Sequence, residues 1–271
     1  MTSLAQKKAA AAKAEPILLR ADSDGIAKIT LNRPAPRNAL SRPLMAALQA
    51  ALDAIAADRK IKAVILAANG PAFCAGHDLK EIRANPGRPA YEALFAECSR
   101  LMQRIVTLPQ PVIAEVHGLA YAAGCQLVAT CDLAVAADTA TFCTPGVNIG
   151  LFCSTPMVAA SRNLPRKKMM EMLLLGDAIP AAEAQRLGLV NRVVAPAKLA
   201  AETRALAAAI ATKSPLVVKI GKEAFYRQLE MPLAEAYDYA SRVMTENMLA
   251  RDAEEGIDAF LEKRKPKWEG R

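Results

Sequence analysis

Apolar residues recur along this chain with two different periods. Gly25 to Leu31 reads GIAKITL, with Ala27, Ile29 and Leu31 alternating onto one face as in a strand. Asn32, Arg33 and Pro34 close it as a turn. Ser41 followed by Pro43 opens a helix, and Leu44, Leu48, Leu52 and Ile55 follow at helical spacing. Lys62 to Ala67 (KAVILA) is almost wholly apolar, as expected of a strand covered on both faces. Pro111 to Val116 and Leu133 to Ala136 are further short strands, with helices over 91–107 and 123–131 between them. This strand-then-helix repetition predicts an α/β core with parallel pairing. After Asn191-Arg192-Val193-Val194 the pattern turns helical, over 197–212, 215–229, 232–250 and 253–264. The chain therefore divides into a tail over 1–15, expected to be flexible, a core over 16–195, and a helical region over 196–271. Such a region is expected to pack on further copies of the chain.

Composition narrows the function. At 271 residues and 53% hydrophobic content the chain can bury one large core. No apolar run approaches the ~20 residues of a membrane helix, so no membrane partner is expected. The N-terminus, MTSLAQKKAAAAKAEP, has lysines but no leucine-rich stretch of a secretory leader. A cytoplasmic location, with all six cysteines as free thiols, is the expectation. Those cysteines form no CxxC pair and only two histidines accompany them, so no metal site is expected. Aromatic content of 4% is poor for stacking nucleic-acid bases. The net charge of +8 suits an anionic small ligand instead.

Two stretches carry candidate chemistry. Pro71 to Ile82 reads PAFCAGHDLKEI directly after KAVILA, and its small residues and Gly76 let backbone approach a ligand closely. His117 to Leu151 reads HGLAYAAGCQLVATCDLAVAADTATFCTPGVNIGL. There Ala123 opens a helix, whose N-terminal dipole favours negative charge. Together with LNRPAPRNALS, MLLLGDAIPAAEAQRLGLVNRVV and the closing EGIDAFLEKRKPKW, these stretches resemble the crotonase superfamily, the enoyl-CoA hydratases and isomerases. Within it, AGHDLKE, AAGCQLVATCD, PGVNIGLFCSTP and PRK are similar to strings of the enoyl-CoA hydratase domain-containing protein 3 group.

The resemblance implies a crotonase (ClpP/crotonase-like) spiral of ββα units with a helical C-terminal trimerisation region. It implies an acyl-CoA thioester as ligand, with coenzyme A as part of the substrate and no bound cofactor, and a homotrimer or dimer of trimers. It makes the main-chain N–H groups of His77 and Ala123 an oxyanion hole for the thioester oxygen, where losing one donor costs about 10²–10³ in rate. It places Ala75, Lys80, Phe260 and Lys263 against coenzyme A, the last two often those of an adjacent subunit.

The resemblance also locates what is missing. Hydratases of the superfamily carry glutamates at the positions of Gln126 and Gly146. Gln126 can hold a water but cannot take its proton, and Gly146 offers no side chain. Other titratable candidates are Glu115, the His77 imidazole, Asp132, Asp138 and the thiols of Cys125, Cys143 and Cys153. Glu115 sits in an apolar strand, where burial raises a carboxylate's pKa. Asp78 reads as a helix cap and Asp132 as a tie between helix and strand. Gly146 reads as a turn residue suited to positive φ. Leu151 to Ala159 (LFCSTPMVA) reads as the acyl end of the pocket, with Cys153 and Ser154 as packing or capping groups. The expected protein is a hydratase/isomerase-family enzyme that stabilises an enolate without the paired glutamates. A weakly catalytic acyl-CoA-binding or regulatory protein is an alternative, as is thioester hydrolysis or decarboxylation on the same fold.

Overall fold

The computed structural model describes residues 15–271, so all but one residue of the expected tail lies outside the described part. The chain runs β1 (Leu18–Ser23), β2 (Ile26–Leu31), α1 (Arg42–Ala57), β3 (Ala63–Ala68), β4 (Ala72–Cys74), α2 (Leu79–Ala84) and α3 (Arg88–Thr107). Then come β5 (Val112–Val116), β6 (Leu119–Tyr121), α4 (Ala123–Thr130), β7 (Leu133–Ala137) and β8 (Thr141–Cys143). A 3-10 turn at Pro145–Ile149 leads to α5 (Pro156–Ala160), α6 (Arg166–Leu175), β9 (Ile179–Pro180), α7 (Ala181–Arg186) and β10 (Arg192–Val194). Four helices follow: α8 (Leu199–Ala211), α9 (Pro215–Gln228), α10 (Leu233–Met248) and α11 (Arg251–Leu261).

The larger sheet has the order β1-β2-β3-β5-β7-β10 and is parallel except for the β1–β2 pair. The smaller one, β4-β6-β8-β9, is parallel except for β8–β9. The pairs β3/β4, β5/β6 and β7/β8 each give one strand to each sheet before the chain turns back through helix. These are the ββα turns of a spiral. Leu44, Leu48, Leu52 and Ile55 of α1 pack on one face of the large sheet, with Ala27, Ile29 and Leu31. Ser41 caps α1 through Leu44 N–H at 3.4 Å. The opposite face, with Ile26, Ile65 and Ile113, is covered by Leu199 and Ala207 of α8. Thus α8, which follows the expected boundary at 195, completes the core.

Asp132 ties three elements together. Its Oδ2 accepts from Val112 N–H and from Lys222 Nζ, both at 2.7 Å, and its Oδ1 from Tyr226 at 2.9 Å. Lys222 also donates to the carbonyls of Ile105 and Gln110 at 2.9 and 3.2 Å. Burial lowers the Lys222 pKa, and Asp132 opposes that shift. The chain's last residues strap α11 down: buried Asp252 accepts from the N–H groups of Glu269 and Gly270 at 2.7 and 3.1 Å.

Candidate active site

β4 and β6 are parallel neighbours, and they end side by side. β4 runs on into the Ala75–Asp78 loop and β6 into the N-terminus of α4. The two backbones touch because glycine occupies both contact points. Gly76 has φ +106°, and a Cβ there would lie 2.9 Å from Ala122 Cβ and 3.6 Å from Ala123 N. A Cβ on Gly124 would overlap the Cys74 carbonyl oxygen and lie 2.9 Å from Cys74 Cβ. Ala122, the N-cap of α4, is held at φ 48°, ψ −117°, a conformation costly for a residue with a side chain. Its N–H is anchored on the Cys143 carbonyl at 2.9 Å.

This contact orients two N–H groups. Leu40 N–H bonds the Gly76 carbonyl at 2.7 Å, and Asp78 N–H bonds the Leu40 carbonyl at 3.2 Å. In such a parallel bridge the central residue, His77, points its own N–H away from Leu40. Ala123 is the first residue of α4, where an N–H has no intrahelical acceptor. Neither N–H has a main-chain acceptor among the described residues. His77 and Ala123 line one cavity of about 640 Å³, together with Ala75 and Gly146.

The His77 ring stands edge-on to Phe95, with centroids 5.8 Å apart. Both its nitrogens are closed to solvent and have no hydrogen-bond partner. Burial lowers its pKa, against a small opposing pull from the nearby Leu40 carbonyl, so the ring is neutral near pH 7. Asp78 caps α2, as expected, accepting from the N–H groups of Lys80 and Glu81 at 3.2 and 3.3 Å. It also pairs with Arg33 at 3.0 Å. Burial would raise its pKa, but Arg33 and the two N–H groups bring it below the ordinary value.

The two positions at which the resemblance leads one to expect glutamates, 126 and 146, are separated. Gly146 lines the cavity from within the 3-10 turn, but its φ is not positive, which corrects that part of the expectation. Space is what limits this position. A Cβ there would lie 2.8 Å from the Leu151 carbonyl oxygen and 2.9 Å from Cys153 Sγ. Gly146 N–H points to that sulfur at 3.3 Å. Gln126 is not among the residues lining this cavity. It lines a second one of about 630 Å³ with Met102, Thr130 and Tyr226. Its Oε1 lies 3.9 Å from Cys98 Sγ, because α3 packs across α4 at this point.

Glu115 is also elsewhere. It shares the α8 face of the large sheet with Ile113, and its Oε1 accepts from Lys28 Nζ at 2.8 Å across β3. An acid/base role at this cavity is therefore corrected to an ion pair within the sheet. Asp138 is exposed beyond β7. Burial pushes the thiols of Cys125 and Cys143 up to about 12 and about 11, and raises that of Cys153 as well. None is a thiolate near neutral pH. Lys80 is exposed on α2 and does not line the cavity. Phe260 is 82% exposed on α11 and Lys263 follows that helix at φ 56°. Neither reaches the cavity of its own chain. Sequence reasoning missed the apolar wall made by Leu79, Ile82, Phe95 and Ile149. Phe95 was the available signal, since it lies one position off the core stripe of Leu94, Cys98, Leu101 and Ile105.

The profile of the family described as enoyl-CoA hydratase/isomerase matches residues 21–271. Human "Enoyl-CoA hydratase domain-containing protein 3, mitochondrial" is 50% identical over 245 residues, spanning 90% of this chain and 81% of that protein. The crystal structure of the human enoyl-CoA hydratase domain-containing protein 3 superposes with a TM-score of 0.91 at 48% identity. It covers 93% of this chain and 100% of that one. A crystal structure of an enoyl-CoA hydratase from Mycobacterium smegmatis gives a TM-score of 0.92 at 54% identity, covering 94% of this chain and 99% of that one. The word mitochondrial in the names of the vertebrate relatives overturns the cytoplasmic expectation. Organellar targeting segments are amphipathic and basic and carry no apolar leader, so the lack of such a leader was no guide to compartment.

Proposed function

Because the chain belongs to the enoyl-CoA hydratase/isomerase family, we propose that it binds acyl-CoA thioesters and stabilises the enolate form of the thioester, with little capacity for hydration. One observation carries this reading. Among the described residues, the cavity wall holds two main-chain N–H groups without internal acceptors and no carboxylate. In the proposed complex the N–H groups of His77 and Ala123 converge on the thioester oxygen as negative charge develops there. The α4 dipole adds roughly 0.3–1 kcal/mol. Hydration further requires a group that takes a proton from water and one that gives a proton to carbon. Each such group contributes about 10²–10⁴ in rate. Gln126 and Gly146 supply neither, so acyl-CoA binding with little turnover is the second reading.

Ala75 and Lys80 are proposed to meet coenzyme A on the chain that holds the acyl group. Phe260 and Lys263 are proposed to do so from a neighbouring copy. The support is the exposure of Phe260 on α11 and of Lys263 just after it, away from their own cavity. A homotrimer or dimer of trimers is proposed to bury the apolar residues that α9 and α10 leave in solvent, among them Phe225, Leu233 and Tyr237. Light scattering is expected to give the mass of a trimer or hexamer.

Calorimetry with acetyl- and crotonyl-CoA, beside a hydration assay, tests the function. Binding without efficient hydration is expected. Absence of binding at millimolar thioester would overturn the reading, and efficient hydration would overturn the part that rests on the missing carboxylates.

A further inference from the structure

Resting on that reading, we infer that the acyl group this cavity takes is an apolar chain longer than four carbons, with no charged group at its far end. Away from the two N–H groups the wall is hydrocarbon, made largely by Leu79, Ile82, Phe95, Ile149, Leu151 and Phe152. Of the polar side chains in that wall, Thr155 keeps an open hydroxyl, and the others are turned or shut away. Both His77 nitrogens are closed off, so the ring offers carbon to the cavity. Asn148 Nδ2 reaches outward to the Gly176 carbonyl at 3.5 Å. Ser154 Oγ donates to the Phe152 carbonyl at 3.3 Å. Cys153 Sγ is engaged by Gly146 N–H.

The acyl end is also open. Ile149, Leu151 and Phe152 line the cavity while remaining 59, 56 and 45% exposed. No floor stands behind a short chain there, and a cavity of about 640 Å³ far exceeds what an acetyl group fills. Each methylene laid on this wall leaves water and tightens binding by about fourfold. The carboxylate of a chain as short as succinyl would lie along this wall, where it loses hydration and meets no Lys or Arg among the lining residues.

The test is calorimetry on the full chain with acetyl-, butyryl-, hexanoyl-, octanoyl- and succinyl-CoA. The dissociation constant is expected to fall by about fourfold per methylene, and so by about 250-fold from butyryl to octanoyl if all four added methylenes lie on the wall. Succinyl-CoA is expected to bind no more tightly than acetyl-CoA. Leu151→Asp should weaken octanoyl-CoA binding more than acetyl-CoA binding. A flat or rising series in a protein that still binds acetyl-CoA would overturn the inference alone. A second copy of the chain covering Ile149 and Leu151 would produce that same flat series. An equal effect of Leu151→Asp on both ligands would also overturn it. Failure to bind any thioester would instead remove the proposed function itself.

Discussion

Every residue of α4 is buried, and no residue of α9 or α10 is. α4 is enclosed by β4, β6, α3 and α5, all from the same chain. Its first N–H is placed by Gly124 pressing on Cys74 and by Ala122 bonding Cys143. α9 and α10 pack on each other, and α9 reaches the core through Lys222 and Tyr226 at Asp132. Their apolar stripe, including Phe225, Leu233, Tyr237 and Met244, stays in solvent. The difference separates two kinds of geometry. The pair of N–H groups at His77 and Ala123 is placed by one chain alone, whereas the C-terminal helices present an apolar face that nothing in the same chain covers.

The largest effect that could break this comparison comes from Gly124→Ala. A methyl group there collides with backbone at Cys74, so a loss of about 3 kcal/mol or more is expected in urea unfolding, with weaker acyl-CoA binding in whatever folds. Tolerance within about 0.5 kcal/mol would show that the close approach of α4 to β4 is not needed. Next comes Lys222→Met, which leaves the half-buried Asp132 without its cation. A loss of about 3 kcal/mol is expected, partly recovered when Asp132→Asn is added. If the single variant melts like the parent, α9 is held by something other than this anchor. The smallest effect is Gly221→Ala in α9, where nothing lies within 4 Å of the added methyl. Helix propensity alone predicts a gain of up to about 1 kcal/mol. A loss of stability or of assembly instead would sharpen the comparison, by showing that a second copy closes on this stretch of α9.

The legibility of the chain follows the length of its signals. α1 and α3 are readable because three or more turns of apolar spacing leave no other period, and Ser41 and Pro43 mark the start of α1. β3 and β5 are readable as apolar runs. β4, β6 and β8 are not, because three residues cannot display a period of two. Yet these short strands form most of the smaller sheet and bring the His77 loop to Ala123. The same limit applies to side chains. Glu115 looks like an isolated acid in an apolar strand until Lys28, far away in sequence, is seen beside it. Phe95 looks like one more core residue until the cavity is seen next to α3.

By itself the sequence determined the order of the long elements, the family, and the residue types at 126 and 146, since each is carried by local spacing or by identity at a position. Only the tertiary structure decided that Gln126 turns toward Cys98 and out of the cavity that His77 and Ala123 line. It alone showed that Cys153 and the Leu151 carbonyl occupy the room a side chain at 146 would need. Those outcomes depend on which segments are pressed together across the fold, and close packing between distant segments leaves no period for a sequence to display.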